Sequence, residues 1–236
     1  MVYAFIISSL RPGPCTVLYT KRFGYKFCEN YNEKDQIQTE VTEADIYKGQ
    51  GHESENEIRR QQIAADTRYA KAIEAQEQHI GELVQSEYNF RRALSSKSFE
   101  EDFQRLNNDD VLPDLEKGCI RLQASKQYQL TRDYTVIWVG TLNCAFIFVC
   151  EDDENKQQAE LTLKLIVKYI QQYTGLLNTS VTESLSRFGS TSSPSRIRSD
   201  RVTSVIRYIV PNGHLLVMNH RLVRQFEKEL DVAMRN

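Results

Sequence analysis

The apolar positions of the chain fall into two blocks of period two, separated and followed by stretches of helical period. Val2 to Leu10 and Cys15 to Phe23 read as strands, and Arg11-Pro12-Gly13-Pro14 between them cannot continue a ladder, so an N-terminal hairpin is predicted. The first of these strands is apolar on both faces through Ile7, the pattern of a strand buried inside a sheet. The second block begins at Cys119 and continues through Thr135 to Gly140 and Asn143 to Cys150, giving five antiparallel strands in total. Between the blocks a long helical stretch runs to about Leu94, capped around Ser54 and Asn56, with a thin stripe of Ile58, Ile63, Tyr69, Ile73, Ile80, Leu83 and Val84. So thin a stripe predicts a helix largely bathed by solvent.

After the second block the acidic run Glu151 to Glu154 precedes a helix over Gln157 to Tyr173, with Ala159, Leu163, Ile166, Ile170 and Tyr173 on one face. Asp200 then caps a short helix bearing Val202, Val205, Ile206 and Ile209, and Pro211-Asn212-Gly213 ends it. His214 to Met218 reads as extended, and a last helix from Asn219 to Met234 carries Leu222, Phe226, Leu230 and Ala233 on one side. The fold class is α/β in the α+β sense, one domain over residues 1–236. Three polar stretches, 24–52, 95–118 and 176–199, read as flexible insertions, the second with a short helix around Phe99 to Leu106.

Composition then removes whole classes of function. A net charge of -2 gives no global pull toward nucleic acid, which is not expected as a partner. Five cysteines, odd in number and scattered, suit reduced cytosolic thiols, and the apolar start lacks the basic flank of a secretory signal. Tyr134 to Cys150 holds no charged side chain, but as a helix it would span only about 25 Å, and Gly140, Thr141 and Asn143 interrupt it. A buried hairpin, with Trp138 and Phe148 in the core, is the better reading.

The search for chemistry is nearly empty. His52, His79, His214 and His220 have no carboxylate or cysteine at ligand spacing and read as surface or packing residues. No phosphate-binding loop or nucleophile elbow is present, and Asp109-Asp110 and Glu151 to Glu154 read as solvated acids. No enzyme activity, metal or cofactor is expected. Arg196, Arg198, Arg201, Arg221 and Arg224 cluster in sequence and are candidates for touching a phosphate or an acidic surface, though solvated helix faces explain them as well. Ser193-Pro194 is a candidate phosphorylation site beside two of those arginines.

Glu154 to Ile170, ENKQQAELTLKLIVKYI, resembles the strand-to-helix junction of adaptor sigma subunits. With MVYAFIISSL at Met1 to Leu10, CTVLYTKRFG at Cys15 to Gly24, TVIWVGTLNCAFIFVCEDDEN at Thr135 to Asn155 and DRVTSVIRYIVPNGHLLVMNHRLVRQFEKEL at Asp200 to Leu230, the chain resembles the sigma subunits of the fifth heterotetrameric adaptor complex. That resemblance implies a longin-like fold and a non-catalytic small chain held with large zeta and beta chains and a medium mu chain. It also implies spatacsin and spastizin as associated partners, a cytoplasmic protein peripheral on late endosomes and lysosomes, and work in sorting and late endosome-to-Golgi retrieval. Membrane association is expected through the complex only. Leu161, Leu165 and Tyr169, read as apolar positions beyond the core stripe of their helix, are the candidate partner-binding residues. The alternative is another longin-domain trafficking protein that binds a small GTPase or a SNARE.

Overall fold

The computed structural model describes residues 1–23, 51–95, 115–125, 130, 132–141, 143–174 and 199–235, with side chains from residue 67 in the first helix and to residue 234 in the last. Strands β1 (Val2–Ser9), β2 (Val17–Arg22), β3 (Glu116–Leu122), β4 (Tyr134–Thr141) and β5 (Cys144–Glu151) form one antiparallel sheet in the order β2-β1-β5-β4-β3. The helices are α1 (Gly51–Leu94), α2 (Lys156–Thr174), α3 (Ser199–Ile209) and α4 (His220–Arg235).

The sheet order follows from which strands can bear burial on both faces. β1, β4 and β5 are apolar at nearly every position and fill the middle, with Trp138 and Phe148 fully buried. β2 and β3 carry the polar side chains and take the two edges. Alternation along each inner strand sends residues to two cores. Phe5, Ile7, Phe146 and Phe148 face α2, α3 and α4, whereas Ile6, Trp138, Ile147 and Val149 face α1 with its Ile80, Val84 and Tyr88.

Several boundaries move from their sequence expectation for local reasons. β3 starts at Glu116, not Cys119, because Glu116, Lys117 and Gly118 pair with Gly140, Val139 and Trp138 of β4. Gly118 is needed there, since a Cβ would lie 2.5 Å from the Trp138 indole. The tail of the expected insertion 95–118 is therefore strand. β2 starts at Val17, its ladder shifting register between Ile7 and Ser8. α1 begins at Gly51, so Ser54 and Asn56 lie inside it and not at its cap, and the end of the expected insertion 24–52 is helix. Asp200 sits in the first turn of α3, where its charge still suits the helix end. The rest of the three insertions, with the Phe99 to Leu106 helix and Ser193, lies outside the described residues.

After α3 the chain makes a tight 3-10 turn, Pro211–Gly213, with positive φ at Asn212 (51°) and Gly213 (82°). A Cβ at Gly213 would meet the Val2 carbonyl oxygen at 2.4 Å, so only glycine lets this turn press on the start of β1. His214 has extended dihedrals, His214 to Met218 belongs to no helix or ladder, and Asn219 then caps α4, its side-chain oxygen accepting from the Leu222 amide at 2.9 Å.

Candidate docking surfaces

Helix α2 was expected to bury one stripe and offer Leu161, Leu165 and Tyr169 outward. Asn155 caps it by accepting from the Gln158 amide at 3.0 Å, and from Ala159 onward burial is nearly continuous, Thr162 through Val167 included. Leu161 is 45 % exposed, but Leu165 (6 %) and Tyr169 (1 %) are packed in the chain's own core. For these two the reading as open positions beyond the core stripe is corrected. The reason is tertiary: α3 and α4, which follow in the chain, close over the side of α2 that the sheet leaves uncovered.

The seam between α2 and α4 is held by paired polar contacts one helical turn apart. The Tyr169 hydroxyl donates to Glu227 at 3.0 Å and the Tyr173 hydroxyl to Asp231 at 2.7 Å, with the two rings stacked at 6.2 Å. Burial, and then the facing carboxylates, push both phenols well above their ordinary value, so they remain hydrogen-bond donors at any physiological pH. Arg201 of α3 donates to the Tyr173 carbonyl at 2.9 Å and ties the third helix to the same end. On the opposite flank of α2, Glu160 receives Lys117 at 2.6 Å and Lys164 at 3.2 Å. Burial works to raise the Glu160 carboxyl, but the hydrogen bonds from the two lysines outweigh it and hold the pKa below the usual value.

The reactive residue types sit in quiet surroundings. Cys15, Cys144 and Cys150 are buried and Cys119 is exposed; burial raises all four thiols, Cys144 to about 12, which disfavours the nucleophilic thiolate. Cys28 lies outside the described residues. The acidic run is structural: Glu151 accepts from Tyr3 and pairs with Arg132, while Asp152 takes Thr135 and Arg121. Among the described residues no group of three or more His, Cys, Asp and Glu could hold a metal ion. His79 is half-buried and His214 and His220 are exposed; the His52 side chain and Asp109-Asp110 fall outside the description.

The basic cluster read from the sequence lies partly within the described residues. Arg201 is engaged with Tyr173, Arg221 and Arg224 stand on the outer face of α4, and Arg196 and Arg198 are outside the described residues. Exposed apolar side chains that sequence reading did not single out are Phe90 (65 %) and Leu94 (74 %), one turn apart at the end of α1, with Val217 and Val232 near the C-terminus. The signal for Phe90 was present, since it lies off the stripe set by Ile73, Ile80 and Val84. An open cleft of about 350 Å³ at the β3 edge, lined by Lys117, Cys119, Ile137, Lys156 and Glu160, completes the candidate surface.

A five-stranded antiparallel sheet with one long helix on one face and three on the other has the longin-like α/β architecture of adaptor small chains. The family model described as AP-5 complex subunit sigma-1 matches residues 1–231, and the chain belongs to that family. It is similar to human AP-5 complex subunit sigma-1, 28 % identical over 241 aligned positions covering 99 % of this chain and 98 % of the human one. The mouse AP-5 complex subunit sigma-1 is 28 % identical over 188 positions, 77 % of this chain and 92 % of its own. The chain is thus a small subunit of an adaptor complex, a non-enzymatic class. Among the described residues no helix is long and apolar enough to cross a membrane.

Proposed function

We propose that this chain assembles with large zeta and beta chains and a medium mu chain into a heterotetrameric adaptor, and that the complex sorts cargo at late endosomes and lysosomes and retrieves it to the Golgi. The match of the sigma-1 family over residues 1–231 carries this reading. In it the subunit is cytoplasmic, reaches the membrane as a peripheral member of the complex, and meets spatacsin and spastizin as associated proteins. It supplies shape and surface and no reaction.

Leu161 is the α2 residue proposed to contact a neighbouring chain, since Leu165 and Tyr169 are buried within the subunit. An obligate interface buries roughly 2,000 Å² or more in total, so Leu161 would be one contact among many. Co-expression with candidate large and medium chains, followed by size-exclusion chromatography, tests the assembly. Co-elution in fixed stoichiometry is expected. A chain that elutes alone and instead binds a small GTPase in a nucleotide-dependent way would replace this reading with that of a different longin-domain trafficking protein.

A further inference from the structure

Helix α4 sorts its side chains by face. Phe226 and Leu230 are buried at the centre of its inner side, with Leu222, Val223 and Met234 packed beside them. Its acids are engaged along the flanks: Glu227 accepts from Tyr169, Asp231 from Tyr173, and Glu229 from the Gln225 side-chain amide at 2.9 Å. By angle Asp231 borders the cations, with one of its carboxylate oxygens held by the Tyr173 hydroxyl. At about 100° per residue, Arg221, Arg224 and Lys228 fall within an arc of roughly 60° on the outer side, and all three are exposed. Among the described residues none of the three has an ion-pair or hydrogen-bond partner. Around the sheet the habit is the reverse, where Arg22, Arg91, Lys117, Arg121 and Arg132 each hold a carboxylate.

We propose that this stripe is an adhesion face for an anionic phospholipid bilayer. From Arg221 to Lys228 the helix rises about 10 Å, close to one Debye length at physiological salt, so the three charges act as one patch. The patch lies along the convex back of a helix whose other face is committed to the core. A flat polyanionic surface meets such a ridge without adjustment, whereas a bound peptide segment draws its affinity from a groove or a strand edge. Val232, 65 % exposed and one turn beyond Lys228, adds an apolar tip at headgroup depth. Since the chain as a whole carries -2, the attraction is local and orients the subunit with α4 toward the membrane. Each cation near an anionic leaflet strengthens partitioning about fivefold, so the stripe is weak alone and gains its effect beside other membrane contacts of an assembly.

The test is sedimentation of the full chain with phosphatidylcholine vesicles, with and without about a third phosphatidylserine, a composition that brings the surface potential into play. Binding only to the charged vesicles, and release as salt rises, is expected. Arg221→Ala, Arg224→Ala and Lys228→Ala together should weaken it about a hundredfold. Removal of three exposed cations elsewhere, Lys21→Ala, Arg68→Ala and Lys71→Ala, should leave most of it, and Arg221→Lys with Arg224→Lys should retain it. If the triple α4 variant loses its circular-dichroism signature, the three single variants decide, at about fivefold each. Equal losses in both triple variants, or full binding by the α4 variant, would overturn the proposal. So would a wild-type chain that ignores the charged vesicles and binds soluble poly-glutamate, which would assign the stripe to an acidic protein.

Discussion

Helices α1 and α2 both lie against the sheet, on opposite faces, and they are buried in different ways. Over its described side chains α1 buries Ile73, Ile80, Gly81, Val84 and Tyr88 with a few polar neighbours, a single face, and leaves the rest to solvent. α2 buries ten of its nineteen residues, six of them consecutive, so no one stripe accounts for it. A helix touching one layer needs apolar residues only at the 3.6-residue period, whereas one enclosed by a sheet below and helices above needs them all round. The lesson for function is that α2 is an interior element of the subunit. Among the described residues, surfaces open to other chains include its exposed leucine, the end of α1, the sheet edges and the exposed valines near the C-terminus.

The largest break in this contrast would come from the sheet that separates the two helices. Phe148→Ala removes a fully buried ring stacked edge-on with Phe5 at 5.7 Å on the α2 side, and should cost about 3 to 5 kcal/mol in urea unfolding. An unchanged midpoint would remove Phe148 from the core. On the α1 side, Gly140→Ala places a methyl 2.5 Å from the Tyr88 ring, which itself packs edge-on against Trp138 at 6.2 Å. Overpacking of this kind costs about 1 to 3 kcal/mol, and the compensating change Tyr88→Leu should recover part of it. Failure of that rescue would show that the strain lies elsewhere.

Much of this architecture is legible in the sequence, and the misreadings share one cause. Five strands, their split around a long helix, the buried hairpin at Tyr134 to Glu151 and the inner faces of α3 and α4 follow from local periodicity, which tertiary contacts here reinforce. Glu116-Lys117-Gly118 does not look like a strand, because on an exposed edge the pairing with β4 dictates the ladder and propensity yields. The site was less legible. Leu165 and Tyr169 read as spare apolar positions, and nothing local says that both are buried or that α4, some fifty residues later, returns to meet Tyr169.

The α2–α4 seam gives a smaller effect with a defined pH signature. Tyr169→Phe deletes the hydroxyl that donates to Glu227 and should cost about 1 kcal/mol. The folded phenol titrates above its ordinary value of 10.0, so its contribution is present in full below about pH 10. As pH rises beyond that, the unfolded chain releases its proton first and stability falls until the folded group ionises as well. Melting temperatures of wild type and Tyr169→Phe should therefore draw together as pH rises above about 10. Curves that stay parallel across that range would mean the hydrogen bond contributes nothing to the fold.

The smallest expected change in stability is the most informative about docking. Leu161 and Leu165 sit one turn apart on α2, 45 % and 6 % exposed. Leu165→Ala should cost about 2 to 5 kcal/mol, because it opens a cavity in the core on the α2 side of the sheet. Leu161→Ala should stay within about 0.5 kcal/mol, because in the isolated chain its outer half already faces water. If Leu161 meets a neighbouring chain, the order reverses in a binding measurement: co-elution with large and medium chains should weaken for Leu161→Ala even though its melting curve is unchanged. A Leu161→Ala chain that assembles as wild type does would leave α2 with no role at the interface, and the exposed Phe90 and Leu94 of α1 would become the surface to test.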